Sequence, residues 1–464
     1  MSQFSATAAS VATQVKCVKQ LVDALMEGGS GEGGALLGPV TFEGSPEGHG
    51  VGVFALEAVA KGSLLVQIPF SKCISAERVT QCAALRQLFI EQAQLVDFED
   101  EVVAIGLMYG RLCLEQVSAI PDMDEQALAE ARLSSEEHCP WLIHIKTLPL
   151  SFNTTLFWQD DELLELKGCT TFHLTQLMKR QIDKDWESIH AQLAQAYPDI
   201  LGGATKDLYM WALSTIYSRA VGVTRSGVPY RVIPPIIDMA NHDPFAASET
   251  ADMFDFDDAL DALKFTACCD RSAKDECCAV YGQYPNSKLA YTYGFVMHPN
   301  PHRAIDLWTR LSPSSWSADR KRLLLEGHPL TAQGQTYDFV GTLRGGGFIS
   351  PALLSTIRVI QISDEDELSR GANAFSGAMI SVRNEAATYA SLRALLQARM
   401  NVETAESDKK RLGEMLLDGA ALCDRQVMAL VIRVEERELI QECLCNVGQW
   451  ALDLEDKGEL HIPP

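Results

Sequence analysis

Two groups of short β-forming segments lie far apart in this chain, and their separation limits the folds open to it. "GPVTFEG", "GVGVFALEAV" and "SLLVQIPF" fall within residues 40–75, broken by Gly and Pro. Strand character returns only at 231–237, 263–269 and 277–281. The stretch between, from 76 to about 220, reads as mostly helical, with apolar residues three and four apart near 84–118 and 205–218. The sequence therefore predicts one β module, split by a helical insertion, that closes only when both halves meet.

At 464 residues the chain exceeds one ordinary core, so two or three domains are expected. No apolar run approaches the ~20 residues that span a bilayer, and no membrane segment is expected. The opening "MSQFSATAASVATQVKCVKQ" has no apolar secretory core. It reads as a surface helix. Cytoplasm, nucleus or both are the expected compartments, with organelle import left open. The net charge of −23 argues against a phosphate-binding surface for nucleic acid, which needs clustered Lys and Arg. It suits a basic protein partner, and equally simple solubility. The 13 cysteines include no CxxC pair; Cys268-Cys269 and Cys277-Cys278 are doublets whose neighbours point to opposite faces of a strand. Reduced, mostly buried thiols are expected.

The remaining organisation is simple. Residues 12–27 read as a helix followed by the breaker "GGSGEGG". "ETADMFDFDDALD" reads as a solvated acidic connection, since it lacks the central Gly of a calcium loop. After about 303 the chain reads as helical, with Leu392, Leu395, Leu396 and Met400 on one face and Val427, Val431, Val434 and Leu439 along a later helix. Glu435, Glu436, Arg437 and Glu438 read as that helix's solvated side.

Four clusters could carry chemistry. In "EGHGVGVFA", residues 47–55, Gly48, Gly50 and Gly52 alternate before an apolar run. Glycine lets a ligand approach the backbone; a tight hairpin would also explain it. In "TIYSRAVGV", Arg219 ends a helical segment, and a surface arginine is the plain alternative. In "RVIPPIIDMANHDP", an apolar run delivers Asp238, Asn241 and His242 within five residues. Asp238 and His242 are four apart, but no third ligand accompanies them, and no metal is expected. Asn241 can donate and accept, which suits an adenine edge, a ribose or a loop brace. In "VYGQYPNSKLAYTYGFV", Tyr281 and Tyr293 each precede Gly. Tyrosine joins a hydroxyl to an apolar body, right for a narrow dry pocket and equally for a core.

Taken in order, these motifs resemble the SET-domain protein methyltransferases, and most the Rubisco large-subunit methyltransferase-like subclass. "PWLIHIKTLPLSFNTTLFWQDDELLELKG" (140–168) and "IRVEERELIQ" (432–441) resemble its helical insertion and its C-terminal substrate-binding domain. The resemblance spans about 36–445. It implies an α+β chain. A helix and linker at 1–35 precede a β-rich SET fold with a pseudoknot-like crossing at 36–300. That fold is split by a helical insertion at about 90–215, and an all-α substrate-binding domain follows at 303–464. It implies S-adenosyl-L-methionine as cofactor, held by His49, Gly50, Val51, Arg219, Asp238, Asn241, His242 and Tyr281. Arg219 matches the arginine that meets the methionine carboxylate. Tyr281 and Tyr293 match the catalytic and channel tyrosines. His49 stands where family members often carry an acidic residue, and Asp243 where they carry a small polar one.

The resemblance implies a monomeric enzyme that methylates a lysine in a basic or flexible segment of a non-histone protein. Val221, two residues after Arg219, and the Tyr of "YGF" favour lysine over histidine, which one relative in the subclass methylates. Two further readings stand beside it. One is a SET-fold binding module without turnover. The other is a metal-dependent hydrolase using Asp238 and His242.

Overall fold

A computed structural model describes residues 8–27, 34–45, 50–245, 253–326, 328–331, 333–335, 337–376, 378–400 and 405–457. The chain forms two compact units, Met1–Thr154 with Leu177–Gln283, and Thr155–Gln176 with Tyr284–Pro464. Each unit is thus discontinuous. A piece of the helical insertion belongs with the C-terminal unit, and the second "YG" motif lies in a different unit from the first.

The strands of the first unit, in chain order, are β1 (Leu36–Leu37), β2 (Val40–Gly44), β3 (Val51–Ala55), β4 (Leu64–Pro69), β5 (Val221–Arg225), β6 (Val228–Val232), β7 (Phe254–Asp257) and β8 (Ala262–Thr266). One sheet runs β1-β4-β8-β7, antiparallel throughout, while β2-β3 and β5-β6 are hairpins. Within the sheet β4 meets β8, with Val66 opposite Phe265 and Ile68 opposite Leu263. The two halves also meet at Ile74 with Ile233, Phe54 with Glu276 and Val59 with Arg271. The expected closure of one β module from two distant halves is what the sheet carries out. Leu65, Val66 and Ile68 are all fully buried, which explains why "SLLVQIPF" is apolar without alternation.

The N-terminal helix, Ala8–Glu27, is more than a surface element. Val18, Leu21 and Leu25 recur at helical spacing and enter the same core as Phe42, Val53 and Phe265. In the insertion, helix Glu99–Ser118 buries an almost continuous stretch from Val102 to Leu112. Helix Lys206–Arg219 starts where the Thr205 hydroxyl accepts the Leu208 N–H at 3.2 Å, and ends at Arg219, where Ala220 turns extended. The β5-β6 turn uses Ser226 and Gly227, both at positive φ, the geometry that matches strand twist in a two-residue hairpin.

Three strand assignments differ from expectation, and one of them, 277–281, forms no strand, with only isolated bridges at Glu276 and Ala279. The strand expected at 231–237 ends at Val232, because Pro234 and Pro235 cannot donate to a ladder. The acidic "solvated connection" instead contains β7 and a hairpin turn. Phe254 and Phe256 alternate with Asp255 and Asp257, a period of two that the acidic composition masks. The Asp257 carboxylate accepts the Ala259 and Leu260 N–H groups and pairs with Lys264 at 2.6 Å.

The second unit corrects the expected all-α C-terminal domain. It is helical after residue 350, but it opens with strands β9 (Ala304–Arg310), β10 (Gln333–Gln335), β11 (Asp338–Arg344) and β12 (Phe348–Ile349). β11 pairs with the other three. The signal was a period of two: Ile305 and Leu307 in β9, and Phe339 and Leu343 in β11, are buried between exposed or half-buried neighbours. These residues pack under Leu353, Ile357, Leu392 and Leu439 from helices Pro351–Ile360, Val382–Arg399 and Arg425–Lys457, or join a second cluster with Val359 and Leu368. Val427, Val431 and Val434 pack with Trp158 and Leu163.

The charge run in the last helix is not its solvated side. Glu435 and Glu436 are 9% and 6% exposed. Glu436 accepts the Thr170 N–H at 3.0 Å and pairs with Arg399 at 3.4 Å. Glu435 accepts from the Asn286 amide at 2.9 Å. Burial pushes the Glu435 carboxyl up to about 8, against the Arg303 charge and the Asn286 hydrogen bond, with Glu436 adding to the rise. The folded state therefore holds a proton that the unfolded chain gives up in the ordinary carboxylate range. Stability falls as pH rises from that range toward 8. Glu435→Gln keeps the shape and removes the titration. It should raise the thermal midpoint at pH 8 and leave it near wild type at pH 4.5. A midpoint lowered equally at both values would contradict the burial argument.

Candidate active site

The site is built where the "DMANH" segment runs beside the chain leading to Tyr281, joined by an isolated bridge between His242 and Ala279, inside the first unit. After the two prolines Ile236 takes φ +58°, a costly conformation for a β-branched residue. A short 3-10 turn, Ile237–Met239, then redirects the chain. Residues 241–243 run parallel to Ala279: its N–H donates to the Asn241 carbonyl at 2.7 Å, and its carbonyl accepts the Asp243 N–H at 3.0 Å.

Asp238 organises one wall. Its side chain is 0% exposed. One carboxylate oxygen, Oδ2, lies 3.3 Å from His144 Nε2 and 3.1 Å from Arg219 Nη1, and Nη1 also donates to the Asp238 carbonyl at 2.8 Å. Burial works to raise the Asp238 carboxyl; His144 and then Arg219 outweigh it and hold it below the usual range. Arg219, 17% exposed, sits where helix Lys206–Arg219 ends. Its Nε is buried and without a hydrogen bond, as is Asp238 Oδ1. Asp238, expected among the cofactor contacts, is enclosed behind Arg219 and acts on it.

Asn241 braces another wall. Its amide donates to Glu276 Oε1 at 2.7 Å, and Ser45 Oγ donates to Glu276 Oε2 at 3.3 Å. This carboxylate lies over β3: a Cβ on Gly52 would come within 2.2 Å of Oε1. Gly50 stands at φ +85°, and its carbonyl accepts the Ser45 N–H at 2.7 Å. Val51 is buried as the first residue of β3. Gly50 and Gly52 therefore lie just before and within the second strand of an antiparallel pair, where they also keep the backbone bare, while Gly48 lies outside the described residues. His49 lies outside the described residues.

His242 and Tyr281 are packed together. Their rings stack at 5.0 Å, and the Tyr281 N–H donates to His242 Nδ1 at 3.1 Å, which places the imidazole proton on Nε2. The Tyr281 hydroxyl donates to the Ala240 carbonyl at 2.9 Å. Burial pushes this phenol up to about 12, while Arg219 pulls it down. It therefore stays neutral at physiological pH. Asp243 accepts the Phe245 N–H at 2.9 Å, closing a local turn, and faces Arg271 at 3.8 Å.

Tyr293 belongs to the second unit. It ends a turn of wide helix, Leu289–Tyr293, capped by Gly294 at φ +82°, and lies 6.2 Å from both Tyr284 and Phe295.

Sequence reasoning missed His144 and Glu276. His144 is an isolated imidazole in the apolar run "PWLIHIK", and a buried polar residue there was the available signal. Glu276 precedes a cysteine doublet and had no local mark.

Among the described residues no group of three or more His, Cys, Asp or Glu is arranged to hold a metal, and no helix is long and apolar enough to cross a membrane. A cleft of about 480 Å³ includes Glu99, Asp100 and Glu101 at a helix N-terminus, where carboxylates complement the dipole. Asp100 is already bound by Arg231, and Glu101 by His190 and Tyr209.

The contact over Gly52 is testable by stability. Gly52→Ala should cost about 1–3 kcal/mol by forcing Glu276 off its partners. The loss should be smaller in a Glu276→Ala background. Equal losses in both backgrounds, read by denaturant unfolding, would contradict the clash.

Residues 312–440 match the family described as Rubisco LSMT substrate-binding. The chain is 27% identical over 337 residues to a chloroplastic [fructose-bisphosphate aldolase]-lysine N-methyltransferase of Arabidopsis thaliana, covering 68% of this chain and 66% of the relative. It is 25% identical to the Rubisco large-subunit N-methyltransferase of Pisum sativum, over 72% of this chain and 63% of the relative. It is 23% identical to the actin-histidine N-methyltransferase of Gallus gallus, over 66% and 52%. The chain thus spans about half to two thirds of the length of these relatives. Among solved structures, the SET domain of LSMT bound to lysine and AdoHcy superposes with a TM-score of 0.74 at 20% identity, covering 95% of this chain and 92% of the other. Rubisco LSMT bound to AdoMet gives 0.74 at 19%, covering 96% and 94%. The chain carries the fold of these SET-domain structures, and its residues 312–440 match the Rubisco LSMT substrate-binding family.

Proposed function

We propose that the protein is an S-adenosyl-L-methionine-dependent protein N-methyltransferase whose acceptor is a lysine of a non-histone protein. The observation that carries this reading is the convergence of Arg219, Asn241, His242 and Tyr281 on one crossing beside a glycine strand. The relatives named as lysine methyltransferases, and the LSMT structures bound to AdoMet and lysine, support it.

The residues suit the cofactor. Arg219 has a buried Nε without a hydrogen bond, so its guanidinium has donors left for a carboxylate. Gly50 and Gly52 present backbone without side chains. Asn241 and His242 offer amide and imidazole groups for the polar edges of a nucleoside. Once bound, the cofactor supplies an activated methyl on a sulfonium.

The chain's own task is then positioning and desolvation. Holding two reactants in line can be worth about 7–11 kcal/mol. The acceptor amine must arrive neutral, although lysine's ordinary pKa is about 10.4. An apolar, aromatic surrounding lowers it by penalising the charged form. Tyr281 cannot serve as a strong base with its phenol pushed up to about 12. Its proton goes to the Ala240 carbonyl, so toward an amine or a methyl C–H the phenol oxygen acts as an acceptor.

Val221, two residues after Arg219, packs against the apolar core of this unit rather than offering a polar group. That favours lysine. The actin-histidine relative keeps histidine as the second reading. A protein of net charge −23 also suits an acceptor lysine in a basic or flexible segment.

Tyr281→Phe should retain the fold and cofactor affinity and lose most transfer, by tenfold or more, as about 1.4 kcal/mol of lost stabilisation would give. Labelled cofactor, protein extract and amino-acid analysis of the methylated band measure this and identify the acceptor. Methyl-histidine in that band, or undiminished transfer by the variant, would overturn the respective assignment. Asn241→Ala and Arg219→Ala should each weaken cofactor binding in calorimetric titration.

A further inference from the structure

We propose that His144 is a positioning residue for Arg219, acting through Asp238, and that it governs recognition of the ligand's carboxylate in particular. The inference rests on the cofactor reading above. His144 lies in a short helix, Leu142–Ile145, far in sequence from the "DMANH" segment, and is buried at 3% exposure.

The connection runs through one atom. Asp238 Oδ2 receives both His144 Nε2 and Arg219 Nη1, while Oδ1 has no hydrogen bond. His144 is therefore the one other side chain hydrogen-bonded to the Asp238 carboxylate among the described residues. Among the described residues, Arg219 in turn makes its hydrogen bonds to Asp238, through Nη1. Asp238 thus holds the guanidinium at Nη1 by both its carboxylate and its carbonyl. A guanidinium binds a carboxylate by a planar fork, so its orientation decides the strength of that contact.

Charge points the same way. An ionised Asp238 paired only with Arg219 would half-neutralise the guanidinium before any anion arrived. His144 shares that negative charge at the same oxygen, leaving more of the Arg219 charge for a ligand.

Packing alone does not account for the imidazole. Its Nδ1 is buried without a partner, a cost a phenyl ring would not carry. Among the described residues, the polar contact through its ring is to Asp238.

The test compares two nucleosides on the full-length chain by calorimetric titration. S-adenosylhomocysteine carries the amino-acid carboxylate; 5′-methylthioadenosine lacks it. His144→Phe should weaken the first about tenfold or more, the range of a lost hydrogen bond to a charged group, and change the second less than about twofold. His144→Gln, whose amide can donate to Asp238, should restore most of the difference. Asp238→Asn should produce the same selective loss, and it serves if His144→Phe does not fold. Equal loss for both nucleosides, or none for either, overturns the inference while leaving the cofactor reading intact. A wild-type chain that binds neither overturns both.

Discussion

Everything in the first unit depends on β4 meeting β8. The two strands are separated by the whole helical insertion, so their pairing closes a very long loop. The entropy of that closure grows only slowly with length, and fully buried Leu65, Val66, Ile68, Leu263 and Phe265 offset it. The other junctions, Ile74 with Ile233 and Phe54 with Glu276, sit on the same closure. The second of them carries Glu276 over Gly52 and so braces Asn241. The site cannot form before the halves join, because its walls come from both.

Buried charge is the second theme. Asp238 in the first unit, and Glu435 and Glu436 in the second, are carboxylates removed from water, and their surroundings treat them in opposite ways. Asp238 has the Arg219 guanidinium and the His144 imidazole on one oxygen, and its carboxyl is held below the usual range; its charge orients Arg219. Glu435 has an amide partner and a second carboxylate beside it, and its carboxyl is pushed up. Burial is common to both; the partners decide the protonation state.

Much of this was legible in the chain. The split β module follows from two groups of short apolar runs with a helical pattern between. Arg219, Asn241, His242 and Tyr281 stood out because each sits at the end of an apolar element. Other features were hidden for definite reasons. β7 and β9 have a period of two, but acidic composition masks the first and a run of helices after it obscures the second. The Glu435–Glu438 run looked solvated because local charge density says nothing about which helices arrive to cover it. Asp243 gained its explanation from Phe245 and Arg271, of which only the first is a neighbour in sequence.

The sequence by itself determined which residues could do chemistry and that two distant halves must combine, because side-chain type and apolar periodicity are local properties. Only the tertiary structure decided what those residues do to one another. It put Asp238 behind Arg219 with His144 at its back, and it set Glu276 against Asn241. It also divided the two tyrosines of the "YG" motifs between two units. Such pairings join positions tens to hundreds of residues apart, and geometry settles them once the loops have closed.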